Sequence, residues 1–200
     1  MALTDESNPL TILRGFMTTQ IDNLKSILDQ ADCLYDYAAI NTALDKMALE
    51  ITEKLGDTNP IMLTVMTGAL IPAGHLVTRL PFPIEMDYIH VTRYRGSMRG
   101  GDLHWLVEPR SSLKDRTVLI VDDIMDGGLT LSAIIDYCKQ AKAKAVYTAV
   151  FVNKLREREP TVDFEPDFVG VTTEDRYLFG FGLDYEEYWR NVPGIYAVKL

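Results

Sequence analysis

Apolar residues recur at helical spacing from residue 9 to residue 30, through Leu10, Ile12, Leu13, Phe16, Met17, Ile21, Leu24, Ile27 and Leu28. A second run of the same period, Ile40, Leu44, Met47, Ala48, Ile51 and Leu55, follows Asp36 as a candidate N-cap and stops at Gly56. Both helices read as periphery, a packing layer or an oligomer surface, and neither carries evident chemistry. From Pro60 the pattern changes. Ile61 to Met66 is a short continuous apolar run, the pattern of a buried strand, and Thr67-Gly68 turns it into a helix from about Leu70 to Leu80. Pro81 and Pro83 bound a further strand, Ile84 to Tyr94. Arg93 to Asp102 (RYRGSMRGGD) has three glycines, three arginines and no period, so it predicts a loop excursion before a short strand from Leu103 to Val107.

The stretch that organises the rest is VLIVDDIMDGGLTL, Val118 to Leu131. Its apolar start predicts a buried strand, two adjacent carboxylates close that strand, and Asp126, Gly127 and Gly128 form a loop before a helix that opens near Thr130 and runs to about Ala141. A strand feeding a small-residue loop and a helix N-terminus holds phosphate, because loop amides and helix dipole point at the anion. The carboxylates then make sense beside a divalent metal or a hydroxylated sugar. Ala145 to Val152 predicts another buried strand ending at Asn153 and Lys154. Phe168 to Val171, Tyr177 to Phe181 and a final edge strand at Tyr196 to Val198 follow, with a turn or short helix at Gly182 to Asp184. Alternating strands and helices predict an α/β fold, a mostly parallel central sheet with helices on both faces. Ligands of such sheets bind at the C-terminal strand ends, where Thr67, Asp122 to Thr130 and Lys154 fall.

The 200 residues fit one domain, with a core of about residues 60–155 and periphery from residues 9–56 and 156–200. The net charge of −9 argues against a broad nucleic-acid footprint. No apolar run is long enough to span a bilayer, and the first residues lack a basic segment followed by an apolar one, so a cytoplasmic protein is expected. Cys33 and Cys138 offer no disulfide framework, and Cys138, in an apolar helical pattern, reads as an inert core thiol.

Four separated features, in order, resemble the purine phosphoribosyltransferases, and from about Pro60 onward the chain is similar to their hypoxanthine/guanine branch. The first is VMTGALIPAGHL. The resemblance makes Met66, Thr67 and Gly68 a pyrophosphate-binding loop with a cis peptide at Met66-Thr67, although a lysine commonly stands where this chain has Thr67. The second is the excursion beginning Thr92, Arg93, Tyr94, which resembles a closing lid, with Arg93 at a position usually held by serine. In the third, Asp122 and Asp123 stand where Glu-Asp is usual and would hold the ribose hydroxyls and Mg²⁺. Asp126 matches the general base or acid beside purine N7, and Asp126, Gly127, Gly128, Leu129 and Thr130 match the 5-phosphate cradle. Gly127 replaces a usual Ser or Thr, which leaves more of the grip to amides and to Thr130. The fourth is the base end. Lys154 matches the donor to a purine 6-oxo group, Tyr177 the stacking aromatic, and Leu178 a position whose backbone reads the base edge. Asp184 matches a member of the purine-binding set and a ligand of a second metal, and Arg190 a contact to the leaving pyrophosphate.

The resemblance implies a type I phosphoribosyltransferase fold with a small hood formed by terminal segments, in a homodimer or homotetramer. The implied reaction transfers the 5-phosphoribosyl group of phosphoribosyl pyrophosphate to hypoxanthine or guanine, giving IMP or GMP and pyrophosphate in purine salvage, with Mg²⁺ as cofactor. The partners are then small molecules, with neither nucleic acid nor membrane. Two rivals stand beside it. One is a non-catalytic RNA-binding regulator that senses phosphoribosyl ligands on the same scaffold, against which the acidic charge counts. The other is an enzyme of the same fold that prefers xanthine. An unrelated Mg²⁺-dependent phosphohydrolase would gather strand-end aspartates too, but would leave Lys154 and Tyr177 unexplained.

Overall fold

The structure, a computed structural model, describes residues 9–93 and 103–199. Six strands form the main sheet: β2 (Ile61–Met66), β3 (Glu85–Arg93), β4 (Leu103–Val107), β5 (Thr117–Met125), β6 (Ala145–Leu155) and β7 (Phe168–Glu174), in the order β4-β3-β2-β5-β6-β7. Every pair is parallel except β3 and β4, which the loop excursion joins as antiparallel neighbours. Helices cover both faces, as the alternation of elements predicted. Period two along β5 sends Leu119 and Val121 to one face and Val118 and Ile120 to the other. The first face packs on α2 (Tyr37–Leu55) and α3 (Leu70–Val77), the second on Leu131, Ile134 and Cys138 of α4 (Leu129–Gln140).

On the first face α2 forms the packing layer expected of the N-terminal helices. Ile40, Leu44, Ile51 and Leu55 of α2 are fully buried in the larger core, each such side chain contributing about 1.5–3 kcal/mol. Asp36 caps α2 as expected, its carboxylate accepting from the Ala39 amide at 2.8 Å. Gly56 ends the helix while keeping right-handed angles (φ −53°), so no left-handed cap forms there. The helix after β2 is shorter than expected, ending at Val77 rather than Leu80.

A second sheet holds the small hood. β1 (Asp32–Tyr35), which the sequence pattern did not reveal, pairs with β9 (Ile195–Ala197), and β9 also pairs with β8 (Leu178–Phe179). The final strand is therefore central to its sheet and not an edge. Arg176 ties the hood shut, reaching the Asp32 carboxylate at 2.6 Å and the Val198 carbonyl at 3.0 Å. α1 (Pro9–Gln30) precedes β1, and among the described residues no helix is long and apolar enough to cross a membrane.

Candidate active site

β5 runs buried through the middle of the sheet and carries two adjacent carboxylates near its C-terminal end, before Ile124 and Met125. Asp122 is 7% exposed and Asp123 half-buried. The Asp123 amide donates to Asp122 Oδ1 at 2.9 Å, which turns one carboxylate back on its own strand. Burial, reinforced by the neighbouring Asp123 charge, holds the Asp122 carboxyl well above the ordinary carboxylate range. Burial also raises Asp123, against the hydrogen bond with Asp122 and the field of the Arg190 guanidinium. Two adjacent carboxylates in this setting are expensive unless hydroxyls or a cation meet them.

The loop that follows is shaped for close approach. Gly128 adopts φ +86° as the N-cap of α4, and a methyl group there would lie 2.9 Å from Val162 Cγ1 and 3.0 Å from Met125 Cε. The cap has no side chain to accept the first helical amides, so they remain directed at the cleft. Gly127, Gly128 and Thr130 line it, and Leu129 opens the helix behind them.

Opposite, the Met66-Thr67 peptide at the end of β2 is cis, as the resemblance implied. Gly68 comes next, directly beneath the Asp123 carboxylate, and Gly182 (φ +106°) packs against the Gly68 carbonyl. Gly182 therefore brings the C-terminal segment onto the β2 loop. There Arg190 donates to the Gly182 carbonyl at 2.7 Å and pairs with Asp184 at 2.7 Å, and Asp184 also accepts from the Glu187 amide at 2.9 Å. A cleft of about 710 Å³ joins these parts.

At the other end of the loop stands Lys154, at the end of β6 and largely buried. Its ammonium lies 3.1 Å from Asp175 Oδ1 and 3.9 Å from Asp126 Oδ1. Arg156 donates to Asp126 Oδ1 at 2.8 Å. Arg158 braces the backbone beneath, donating to the carbonyls of Asp126 at 2.9 Å and Lys154 at 3.1 Å.

The cleft thus gathers Met66, Thr67, Gly68, Asp122, Asp123, Asp126 and the glycine loop with Asp184 and Arg190. Lys154 meets this group through Asp126. Tyr177 and Leu178 belong to the hood: the Tyr177 ring is exposed and meets Tyr185 edge-on at 5.5 Å, while the Leu178 side chain is buried. Tyr94 lies outside the described residues, and Arg93 ends β3 with its side chain also outside them. Among the described residues no three carboxylate, histidine or cysteine groups converge into a metal cage, and Asp184 is engaged by Arg190 rather than by the aspartate pair.

Sequence reasoning missed His90, His104 and Glu187, which line the cleft with Thr92, and the charged partners Arg156 and Asp175. Arg156 gave no periodic signal, because it lies just past β6 in a tight turn whose amide donates to the Lys154 carbonyl at 3.0 Å. His104 becomes visible only through its register with Thr92 across β3 and β4.

The phosphoribosyl transferase domain family matches residues 30–186. The hypoxanthine-guanine phosphoribosyltransferase of Bacillus subtilis (strain 168) is 32% identical over 161 residues, covering 80% of this chain and 88% of that protein. The hypoxanthine-guanine-xanthine phosphoribosyltransferase of Tritrichomonas foetus is 30% identical over 182 residues, covering 91% of this chain and 96% of that protein. Among solved structures, a hypoxanthine-guanine-xanthine phosphoribosyltransferase superposes with a TM-score of 0.77 at 29% identity, over 86% of this chain and 99% of that one.

Proposed function

The chain belongs to the phosphoribosyltransferase family, in its hypoxanthine-guanine branch, and from that premise we propose that it moves the 5-phosphoribosyl group of phosphoribosyl pyrophosphate onto N9 of hypoxanthine or guanine. One observation carries the proposal: the adjacent Asp122-Asp123 pair, the Gly127–Thr130 loop and Asp126 share a single cleft, with Lys154 3.9 Å from Asp126.

The amides of residues 127–130 and the N-terminus of α4 hold the 5-phosphate. Asp122 and Asp123 accept from the ribose hydroxyls, so their main contribution is orientation at the reacting carbon. The amides of Met66, Thr67 and Gly68, with Arg190, receive the charge that develops on the departing pyrophosphate. Asp126 handles the proton at purine N7 and faces the positive charge of the forming ring. Lys154 donates to the 6-oxo group, which selects against adenine. Tyr177 offers a ring face to the base, and the Leu178 backbone reads its edge. Arg93 and Tyr94 belong to the lid that excludes water.

The aspartate pair suits Mg²⁺, which takes one or two carboxylates plus substrate oxygens and not an all-protein cage. When bound, Mg²⁺ neutralises charge on the leaving group. Asp184, now paired with Arg190, is the carboxylate that would hold a second metal, and Arg190 the group that would meet the pyrophosphate. A cytoplasmic homodimer or homotetramer without nucleic-acid partners completes the proposal, in keeping with the net charge of −9.

A xanthine preference is the second reading, favoured by the hypoxanthine-guanine-xanthine relative. Spectrophotometric assays with Mg²⁺, phosphoribosyl pyrophosphate and each of hypoxanthine, guanine, xanthine and adenine decide between them. Turnover of the first two with adenine inert is the expected result. Turnover of xanthine alone would replace it, and silence on all four with the donor still bound would favour a ligand-sensing regulator.

A further inference from the structure

Four side chains at the base end of the cleft close a ring of alternating charge. Arg156 Nη1 lies 2.8 Å from Asp126 Oδ1 and 3.7 Å from Asp175 Oδ2. Lys154 Nζ lies 3.1 Å from Asp175 Oδ1 and 3.9 Å from Asp126 Oδ1. Each cation therefore serves both carboxylates, through one short contact and one long one. We propose that Arg156 is a positioning residue that holds Asp126 while the base site is empty and surrenders it to the entering purine. The inference rests on the assignment of Asp126 and Lys154 to the purine.

The ring has the geometry of a partner exchange. Its two short contacts, Arg156 with Asp126 and Lys154 with Asp175, engage the two groups that the base needs. As the 6-oxo group draws Lys154 away, Asp175 loses its close partner. Arg156 is then only 3.7 Å from the second oxygen of that carboxylate, and a small side-chain rotation makes it the new close partner. Asp126 is thereby released to N7 while Asp175 keeps a close cationic partner. Two close ion pairs give way to one, Arg156 with Asp175, and to hydrogen bonds of Asp126 and Lys154 with the neutral base. The base therefore enters against a competing contact, and selectivity follows: a ligand lacking either the 6-oxo acceptor or the N7 group opens only half the ring. Asp175 follows β7, Lys154 lies at the end of β6 with Arg156 just past it, and Asp126 follows β5, so the ends of three neighbouring strands set the ring.

Arg156 and Asp126 are partly exposed, at 37% and 48% of their side chains, so the competition is modest and sensitive to salt. Steady-state kinetics at saturating phosphoribosyl pyrophosphate test it with Arg156→Ala and Arg156→Lys. The expected result is a purine KM lower by about two- to fivefold in Arg156→Ala, a larger change than in kcat, with the donor KM in place. Arg156→Lys, which keeps the charge but not the forked donor, should fall between. Raising salt from about 50 to about 500 mM should lower the purine KM of the parent protein and leave that of Arg156→Ala flat. A purine KM that is unchanged or raised in a folded, active Arg156→Ala protein overturns the inference alone. Absence of turnover by the parent protein with every 6-oxopurine overturns the functional assignment, and the inference with it.

Discussion

The carboxylate of Asp123 sits directly on the α-carbon of Gly68, so close that a methyl group there would overlap Oδ2. The loop proposed for pyrophosphate and the carboxylate proposed for ribose are thus built against each other. Gly68→Ala must push Asp123 or the β2 loop aside, and misplacement on the ångström scale can lower turnover by about a hundredfold. The expected outcome is a loss of kcat/KM for phosphoribosyl pyrophosphate of about that size. A variant with parental donor kinetics would show that the contact is idle.

Asp122 supplies a pH-dependent prediction. Its folded-state carboxyl is raised above the ordinary value of 3.8, because burial and Asp123 disfavour the charged form. A raised folded-state value favours folding fully below the unfolded value, and the contribution is lost as pH rises through the folded one. Asp122→Asn should therefore melt higher than the parent at pH 7, by about 2–4 °C for each kcal/mol relieved. The difference should vanish near pH 3. Melting curves across that range check it, and a gain that persists in acid would point to packing instead.

Asp126→Asn separates chemistry from binding. A carboxamide keeps the size of the group and loses its basicity, so turnover should fall by about 10²–10⁴-fold while donor affinity changes little. Equal losses in both would remove the proton-transfer role.

Trp189 links the C-terminal segment to α1, its indole N–H donating to the Leu24 carbonyl at 2.9 Å. Arg190 follows it directly. Trp189→Phe removes that donor and should cost about 0.5–1.5 kcal/mol of stability, seen as a melting temperature lower by a few degrees. An unchanged melting temperature would mean that α1 is held by other contacts.

The two thiols should differ sharply. Cys33 is exposed, while Cys138 is fully buried in α4 and burial pushes its thiol up to about 11. Ellman's reagent at pH 8 should titrate one thiol per folded chain and two after denaturation; two fast thiols in the folded protein would contradict the buried placement.

Much of the fold was legible because its signals are local. The period of Ile40 to Leu55 and the cap at Asp36 defined α2, and the run at Val118 defined β5, since amphipathic spacing and capping chemistry act within a few residues. What α2 packs against was not legible, because an apolar face states that it is buried and not by what. β1 escaped notice for a similar reason: DCLY has four residues and no alternation, and it is extended because β9 pairs with it. The same pairing moved β9 from edge to centre.

The chemistry divides in the same way. Sequence alone determined which groups exist and their local order: adjacent carboxylates at a strand end, a glycine loop before a helix, and a lysine closing the next strand. Those follow from backbone geometry and short spacings. Only the tertiary structure decided that Gly68 would lie under Asp123, that Arg190 would engage Asp184, and that Lys154, Arg156, Asp126 and Asp175 would close a ring. Ion pairs and close contacts depend on distance in space, and strand order in the sheet, which no local pattern encodes, sets that distance.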